Sequence, residues 1–192
     1  MVKAPLESIS HAFRYSDGIL GFTRAIVLAG GELTFALFDA MPAHVLTELF
    51  RERDQATRAT CTVAERAQVE RLFQIRIDRE LDQVRGSCLL REHGQIVADA
   101  LRYFDGQRYT LHAWCVMPNH VHVLVHLERG ADLPKVVQAW KSYTVHKIGL
   151  GVIWQREYFD RVIRSPQEYS DTRAYIRNNP AKAGLRNWPW VA

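Results

Sequence analysis

Two histidines separated by a single residue are the part of this sequence whose types and spacing could do chemistry. His120 and His122 follow Pro118-Asn119, which is typical of a turn, and they open a run of β-branched and apolar residues that predicts a strand. Side chains on a strand alternate between its two faces, so both imidazoles are predicted to share one face. Two imidazoles a strand repeat apart can bind one metal ion. They can equally be hydrogen-bonded structural histidines, and the pair alone leaves both interpretations open.

The residues around the histidines indicate the strands that position them. Residues 109–116 are rich in β-branched and aromatic types, and they are predicted to form an antiparallel hairpin with residues 120–127 in the centre of a sheet. In the second strand, Val121 and Val123 are predicted to face the core, on the side opposite the histidines. A further strand is predicted over residues 33–38.

Helical periodicity recurs in five stretches, which are residues 42–53, 62–85, 96–104, 133–148 and 166–179. Thr62 and Glu65 form the pattern of a capping box at the start of the second stretch. The charged residues of that stretch, Asp78 among them, are expected on a solvated face. Residues 56–61 are predicted to be a loop, and Pro180 is expected to end the last helix.

Composition and length are those of an ordinary soluble domain. The chain has 192 residues, of which 47% are hydrophobic and 24% charged, and its net charge of +4 permits a polyanionic partner. The three cysteines are scattered without a Cys-x-x-Cys pair, which fits a reducing compartment. Residues 18–37 are too often interrupted by polar side chains to predict a membrane span. We therefore expect a cytoplasmic protein that forms one domain over residues 1–192 and has no membrane partner.

Aromatic and arginine side chains alternate along residues 154–164. Trp154, Arg156, Tyr158 and Arg161 form a mixture that suits stacking on bases and pairing with phosphates. The same mixture suits an ordinary sheet edge. Lys141, on the predicted helix 133–148, is likewise open to two interpretations, phosphate contact and solubility.

Four ordered motifs resemble the IS200-like Y1 transposases, and within them the sequence is most similar to the REP-associated tyrosine transposases. The motifs are residues 111–122 (Leu-His-Ala-Trp-Cys-Val-Met-Pro-Asn-His-Val-His), 140–144 (Trp-Lys-Ser-Tyr-Thr), 154–161 (Trp-Gln-Arg-Glu-Tyr-Phe-Asp-Arg) and 175–185 (Tyr-Ile-Arg-Asn-Asn-Pro-Ala-Lys-Ala-Gly-Leu). The resemblance covers a core of residues 96–185. It assigns no role to an N-terminal extension over residues 1–31.

The resemblance implies a role for each motif residue. His120 and His122 would be ligands of a divalent cation, Tyr175 the catalytic tyrosine and Asn179, one helical turn later, a third ligand. Such a mixed nitrogen and oxygen set suits Mg²⁺ or Mn²⁺. The residues expected to contact DNA are Lys141, Trp154, Arg156, Tyr158 and Arg161. Among the other tyrosines, Tyr169 and Tyr158 are rival candidates for the nucleophile.

The resemblance also implies an activity and a fold. Members of the family cut single-stranded DNA beside a hairpin, become joined through tyrosine to the 5′ phosphate, and pass that end to another 3′ hydroxyl. The expected partners are REP-like hairpins or insertion-sequence ends, and the expected state is a monomer or a homodimer. The expected fold is α+β, an antiparallel sheet of about four or five strands with packed helices, as in ferredoxin-like and RRM-like proteins.

Two other functions stay open on the sequence. The first is a protein that binds structured single-stranded DNA without cutting it. The second is a metal-dependent phosphodiesterase whose nucleophile is water, with Tyr175 serving only in packing. A covalent protein–DNA adduct would separate the transposase from both.

Overall fold

A computed structural model describes residues 30–59 and 62–192 of the protein. The strands in these ranges are β1 (Gly31–Ala36), β2 (Tyr109–Val116), β3 (His120–Leu127) and β4 (Phe159–Val162). The helices are α1 (Ala43–Ala59), α2 (Val63–Leu81), α3 (Leu90–Arg102), α4 (Leu133–Ile148) and α5 (Pro166–Lys182). Apart from its last two residues, the predicted N-terminal extension lies outside the described residues.

The four strands form one antiparallel sheet in the order β2-β3-β1-β4, which confirms the predicted α+β class. β3 is central, as predicted, but the predicted central place of β2 is wrong, because β2 lies at an edge. The outer side of β2 is covered by the C-terminal residues. Trp114 and Ala192 exchange two backbone hydrogen bonds of 3.1 and 3.0 Å. This pairing explains how an edge strand can carry so many apolar residues.

The face of the sheet that carries Leu33, Phe35, Val121, Val123 and Val125 is called here the apolar face. All five side chains belong to the main hydrophobic core. α4 packs on this face through Trp140, whose ring is stacked 6.3 Å from that of Phe35. α3 packs on the same face at the start of β2, where the Tyr109 hydroxyl donates to the Leu101 carbonyl at 2.8 Å.

The opposite side of the same strands, which carries Glu32, Thr34, His120 and His122, is called here the polar face. α2 packs on it, and Gln74 of that helix donates to Thr34 at 3.0 Å. α5 also packs on it and shares an apolar cluster with Leu124 and Cys115. A cleft of about 280 Å³ separates α2 from α5, with Glu32 on its floor.

Three helices extend beyond their predicted limits. α1 continues to Ala59, so the predicted loop is wrong for residues 56–59, while residues 60–61 lie outside the described ranges. The extra turn uses good helix formers, and the Thr57 hydroxyl bonds to the Arg53 carbonyl at 2.8 Å. α3 begins at Leu90, six residues early. α5 passes through Pro180 and ends two residues later at Lys182, although proline cannot donate the helical hydrogen bond to the carbonyl of Ile176.

The predicted start of α2 is confirmed in detail. Glu65 N–H donates to the Thr62 hydroxyl at 3.1 Å, and Thr62 N–H donates to the Glu65 carboxylate at 2.8 Å. These reciprocal bonds satisfy backbone groups that a helix start would leave unpaired. None of the helices within residues 30–59 and 62–192 is long and apolar enough to cross a membrane.

Candidate active site

His120 and His122 lie on the polar face of β3 and are fully buried. Their rings meet edge to face with centroids 4.7 Å apart. Their Nε2 atoms are only 2.9 Å apart, so the two nitrogens point at the same place. This convergence is what two ligands of one metal ion require.

The amide of Asn119 fixes the tautomer of His120. Its NH₂ group donates to the carbonyls of Leu81 and Arg85 at 3.2 and 3.1 Å, so its Oδ1 must face the other way. There Oδ1 accepts from Nδ1 of His120 at 2.8 Å. A neutral imidazole that carries its proton on Nδ1 has a free lone pair on Nε2. Asn119 therefore presents the Nε2 of His120 as a ligand atom.

His122 is held in a similar way from β1 and α2. Its Nδ1 lies 2.9 Å from the Thr34 hydroxyl, which accepts from Nε2 of Gln74 at 3.0 Å. Burial lowers the pKa of His122 to about 3. Burial, together with the neighbouring His122, also lowers the pKa of His120 well below its usual value. Both imidazoles are thus neutral near pH 7, and each has one nitrogen lone pair to offer.

α5 brings Tyr175 and Asn179 to the histidines. The Tyr175 ring lies 5.4 Å from that of His122, at an angle of 76°. Asn179 is buried, and its Nδ2 is 3.3 Å from Nε2 of His122. The structure thus gathers the four residues that the motifs single out. Asn179 presents its NH₂ group to His122, so ligation through Oδ1 would require rotation of the amide.

Asp82 is a site residue that the sequence interpretation missed. It forms the C-cap of α2, and 39% of its side chain is exposed to the cleft. Its Oδ2 accepts from the Tyr175 hydroxyl at 3.5 Å, and its Oδ1 accepts from Nδ2 of Asn179 at 3.4 Å. The same Oδ1 lies 3.7 Å from Nε2 of His120. Burial raises the pKa of Asp82, although the two hydrogen bonds act in the opposite direction.

Asp78 corrects the prediction of a solvated face on α2. Its side chain is buried, accepts from Gln74 at 2.8 Å, and lies 4.0 Å from Nδ1 of His122. Gln74, Asp78 and Asp82 are spaced by four residues, so they share one face of the helix. That row runs beside the apolar row of Phe73, Ile77 and Leu81. These two adjacent rows, one apolar and one polar, are the pattern in the sequence that could have indicated that Asp78 faces the sheet.

The surroundings of Tyr175 keep its hydroxyl protonated at neutral pH. Burial raises the pKa of the phenol, and the nearby carboxylates of Asp78 and Asp82 raise it further. A protonated phenol is a poor nucleophile. The ammonium group of Lys182 lies 5.0 Å from the centroid of the Tyr175 ring. Its positive charge offsets part of the negative charge of the two carboxylates.

Arg161 lies on the floor of the cleft and is engaged with protein groups. Its Nε donates to Glu32 at 2.6 Å, its Nη2 donates to Thr172 at 2.9 Å, and it also forms an ion pair with Glu168. Glu32 is almost fully buried on that floor, so this arginine neutralises a carboxylate that is largely shielded from water. Its predicted contact with DNA stays a prediction.

The other predicted DNA contacts occupy different environments. Trp154 is 5% exposed and belongs to the core. The ammonium group of Lys141 donates to the backbone carbonyls of residues 155–157 at 2.8–3.3 Å. Arg156 is exposed and Tyr158 is half-buried. Of these four side chains, Arg156 is therefore the most accessible to a nucleic acid in the described structure.

Comparisons with known proteins agree with this architecture. The sequence model of the family described as IS200-like transposase matches residues 85–179. A REP-associated tyrosine transposase of Escherichia coli strain K12 is 31% identical over 114 residues, which are 55% of this chain and 68% of that protein. A solved structure of a REP-associated tyrosine transposase bound to a REP hairpin has the same fold, with a TM-score of 0.56 and 21% identity. That alignment covers 90% of this chain and 82% of the other.

The fold and the sequence matches define a class of enzyme, the tyrosine transposases that act on DNA. The chain belongs to the IS200-like transposase family, and it resembles the REP-associated tyrosine transposases within it. The family in general depends on divalent metal ions.

Proposed function

We propose that this protein, as a single domain, cuts single-stranded DNA next to a hairpin and rejoins the cut end to another strand, with Tyr175 as nucleophile. The observation that carries the proposal is the meeting of Tyr175, His120, His122 and Asn179 where α5 packs on the polar face, with Tyr175 lining the cleft between α2 and α5. These side chains come from β3 and α5, and more than fifty residues separate His122 from Tyr175 along the chain. A packing role for the tyrosine alone would not explain two converging, uncharged imidazoles beside it.

The proposed reaction consists of two transfers of one phosphoryl group. The phenolic oxygen of Tyr175 attacks the scissile phosphorus and gives up its proton, the bond from phosphorus to the 3′ oxygen breaks, and that oxygen takes up a proton and leaves as a 3′ hydroxyl. The 5′ phosphate remains joined to the tyrosine. In the second transfer a different 3′ hydroxyl attacks, and the phenol leaves and recovers its proton. Because the covalent intermediate conserves the bond energy, rejoining needs no nucleotide cofactor.

A divalent cation, Mg²⁺ or Mn²⁺, is part of the proposal. His120, His122 and Asn179 would hold it, and their fit rests on the 2.9 Å separation of the two Nε2 atoms and on the neutral state of both rings. Such an ion, when bound, neutralises charge that develops at the scissile phosphate. Tyr175 itself is oriented by its hydrogen bond to Asp82.

The proposed partner is a hairpin of single-stranded DNA, of the REP type or from the end of an insertion sequence. Support comes from the E. coli relative and from the net charge of +4. Exposed Arg156 and half-buried Tyr158 are proposed to contact the strand. Lys141, Trp154 and Arg161 would act through the segment that they anchor. The protein is proposed to work as a monomer or a homodimer.

The test is incubation of the protein with a labelled hairpin oligonucleotide and Mn²⁺, followed by a denaturing protein gel. We expect a labelled band at the mass of the protein plus DNA. Tyr175→Phe should lose that band completely. Tyr158→Phe and Tyr169→Phe are matched controls that should keep it, and Tyr169 packs against His112 instead of against the two paired histidines.

Each other outcome points to a different function. Cleavage without a shifted band would favour a phosphodiesterase that uses water as its nucleophile. Binding of the hairpin with neither cleavage nor adduct would favour a non-catalytic DNA-binding protein. Loss of the band in the Tyr169→Phe variant but not in Tyr175→Phe would show that Tyr169, near the start of α5, is the nucleophile, and would contradict the proposal.

A further inference from the structure

We infer that Asp82 is a ligand of the divalent cation and supplies a negatively charged donor beside the converging nitrogens of His120 and His122. This inference rests on the proposed function, because it concerns the same ion. It adds a residue that the family match does not reach, since that match begins at residue 85. Asp82 is carried instead by α2, the helix that packs on the polar face.

The position of the carboxylate is the first argument. Oδ1 of Asp82 lies 3.7 Å from Nε2 of His120, while Nε2 of His120 and Nε2 of His122 lie 2.9 Å apart. Asn179 presents its NH₂ group both to that Oδ1, at 3.4 Å, and to His122. In the described arrangement, the side-chain oxygen that faces the imidazole pair therefore belongs to Asp82, and Asn179 acts as a donor that orients it.

The charge of the donor set is the second argument. Two neutral imidazoles and an amide carry no net charge, so they leave the charge of a divalent cation uncompensated. Hard cations prefer carboxylate oxygens. Asp82 adds a carboxylate oxygen and one negative charge to the two imidazole nitrogens, which suits Mg²⁺ and Mn²⁺.

The third argument is that no lysine or arginine in the described part of the chain pairs directly with this carboxylate. Asp82 lies at the C-terminal end of α2, where the helix dipole disfavours negative charge. Within residues 30–59 and 62–192, neither a lysine nor an arginine forms a direct ion pair with it; Lys182 acts on it only at longer range, and the basic side chain that it approaches within 4.0 Å is that of His120. A carboxylate held against both the helix dipole and burial is explained by a bound cation.

The end of α2 is also fixed relative to the histidines. Asn119, the residue before His120, donates to the carbonyls of Leu81 and Arg85 on either side of Asp82. The backbone N–H of Asp82 bonds to the Asp78 carbonyl at 2.8 Å. One asparagine thus sets the tautomer of His120 and the distance from His120 to the carboxylate, which is the preorganisation that a metal site needs.

The experiment measures Mn²⁺ binding to the full chain without DNA, by isothermal titration calorimetry and by the electron paramagnetic resonance signal of free Mn²⁺. Asp82→Ala and the isosteric Asp82→Asn should each weaken binding by about tenfold or more. His120→Ala is the positive control. Asp99→Asn is the charge-matched control, because this exposed carboxylate accepts a hydrogen bond from Gln95 on α3, does not line the cleft, and should leave binding unchanged.

Ion selectivity separates a ligand from a residue that only supports the fold. Loss of the carboxylate should weaken Mg²⁺ and Mn²⁺ more than Zn²⁺, whereas general loosening of the site would weaken all three alike. Thermal unfolding of each variant checks that the protein is folded.

The two hypotheses fail in distinguishable ways. If the Asp82 variants bind Mn²⁺ like the wild type while His120→Ala does not, Asp82 is not a ligand and the proposed function stands. A uniform loss for all three ions would also overturn the inference. If the wild type shows no Mn²⁺ binding and no adduct in the hairpin assay, the metal-dependent function fails together with it.

Discussion

The two faces of the sheet are built from alternate residues of the same strands, yet they are buried in different ways. On the apolar face, Phe35 is packed between Trp140 and Trp154, with ring centroids 6.3 and 4.9 Å away. On the polar face, directly behind it, Thr34 bonds to His122 and Gln74. Burial is nearly complete on both sides. The comparison shows that a functional site need not lie on an exposed loop. Here the site lies on a buried face of the sheet, beside the cleft that α2 and α5 leave between them.

The stability of the polar face depends on hydrogen bonds and ion pairs between its buried groups, whereas the stability of the apolar face depends on how well its side chains fill the available volume. Each buried polar group on it has a partner: Glu32 has Arg161, His120 has Asn119, and His122 has Thr34. A buried donor or acceptor left without a partner costs about 1–3 kcal/mol. Substitutions there are therefore expected to change function or pairing, while those on the apolar face are expected to change stability alone.

The largest expected effect is on the polar face. His122→Ala removes one of the two converging nitrogens, and we expect cleavage of the hairpin oligonucleotide to fall by about 10³-fold, since metal-assisted charge stabilisation is worth several kcal/mol. The measurement is single-turnover cleavage at saturating Mn²⁺. Far-ultraviolet circular dichroism of the same sample should match the wild type. Cleavage within tenfold of the wild type would contradict the assignment of the site.

The matching change on the apolar face is Phe35→Ala. Removing a fully buried aromatic ring should lower the free energy of unfolding by about 3–5 kcal/mol, through lost transfer energy and a residual cavity. Urea unfolding measures this change. The affinity for Mn²⁺, determined below the unfolding transition, should be unchanged. If Phe35→Ala kept its stability but lost Mn²⁺ binding, this result would contradict the proposal that the apolar face serves stability and the polar face serves metal binding.

Arg161→Met tests whether this arginine serves pairing or DNA contact. The substitution leaves Glu32 buried without a cation, and we expect a loss of about 3 kcal/mol in unfolding free energy. The double variant Arg161→Met with Glu32→Gln should recover part of the loss. If Arg161→Met instead leaves stability intact and weakens only oligonucleotide binding, the side chain acts on DNA.

The smallest expected effect concerns Asp160, the neighbour of Arg161 on β4. Burial, together with the negative charge of Glu70, raises the pKa of Asp160. No ion pair of Asp160 occurs within the described part of the chain. A carboxyl group whose pKa is higher in the folded than in the unfolded state loses stability as pH rises above the unfolded value. Asp160→Asn should therefore gain about 0.5 kcal/mol at neutral pH.

The pH dependence of that gain provides its control. Near pH 3 the carboxyl group is protonated in both folded and unfolded states, so the variant and the wild type should unfold at similar urea concentrations. A gain of equal size at both pH values would show that packing, and not charge, is responsible.

Local sequence patterns determined the elements and part of the site. Alternation along β3 placed His120 and His122 on one face and Val121 on the other, and the structure confirms both placements. The capping box at Thr62 located the start of α2. The spacing of Tyr175 and Asn179 put them on one face of α5. These features follow from strand and helix periodicity, which depends only on nearby residues.

Tertiary structure decided the rest, because no local rule states which surfaces will meet. Asp78 and Asp82 have the pattern of solvated charges until α2 packs on the polar face and brings them to histidines about forty residues later. The sequence of residues 154–161 likewise does not show that Arg161 pairs with Glu32 or that Trp154 belongs to the core, and the predicted DNA contacts of both residues stay predictions. Burial and charge pairing are properties of contacts between distant segments, and only the packed chain defines them.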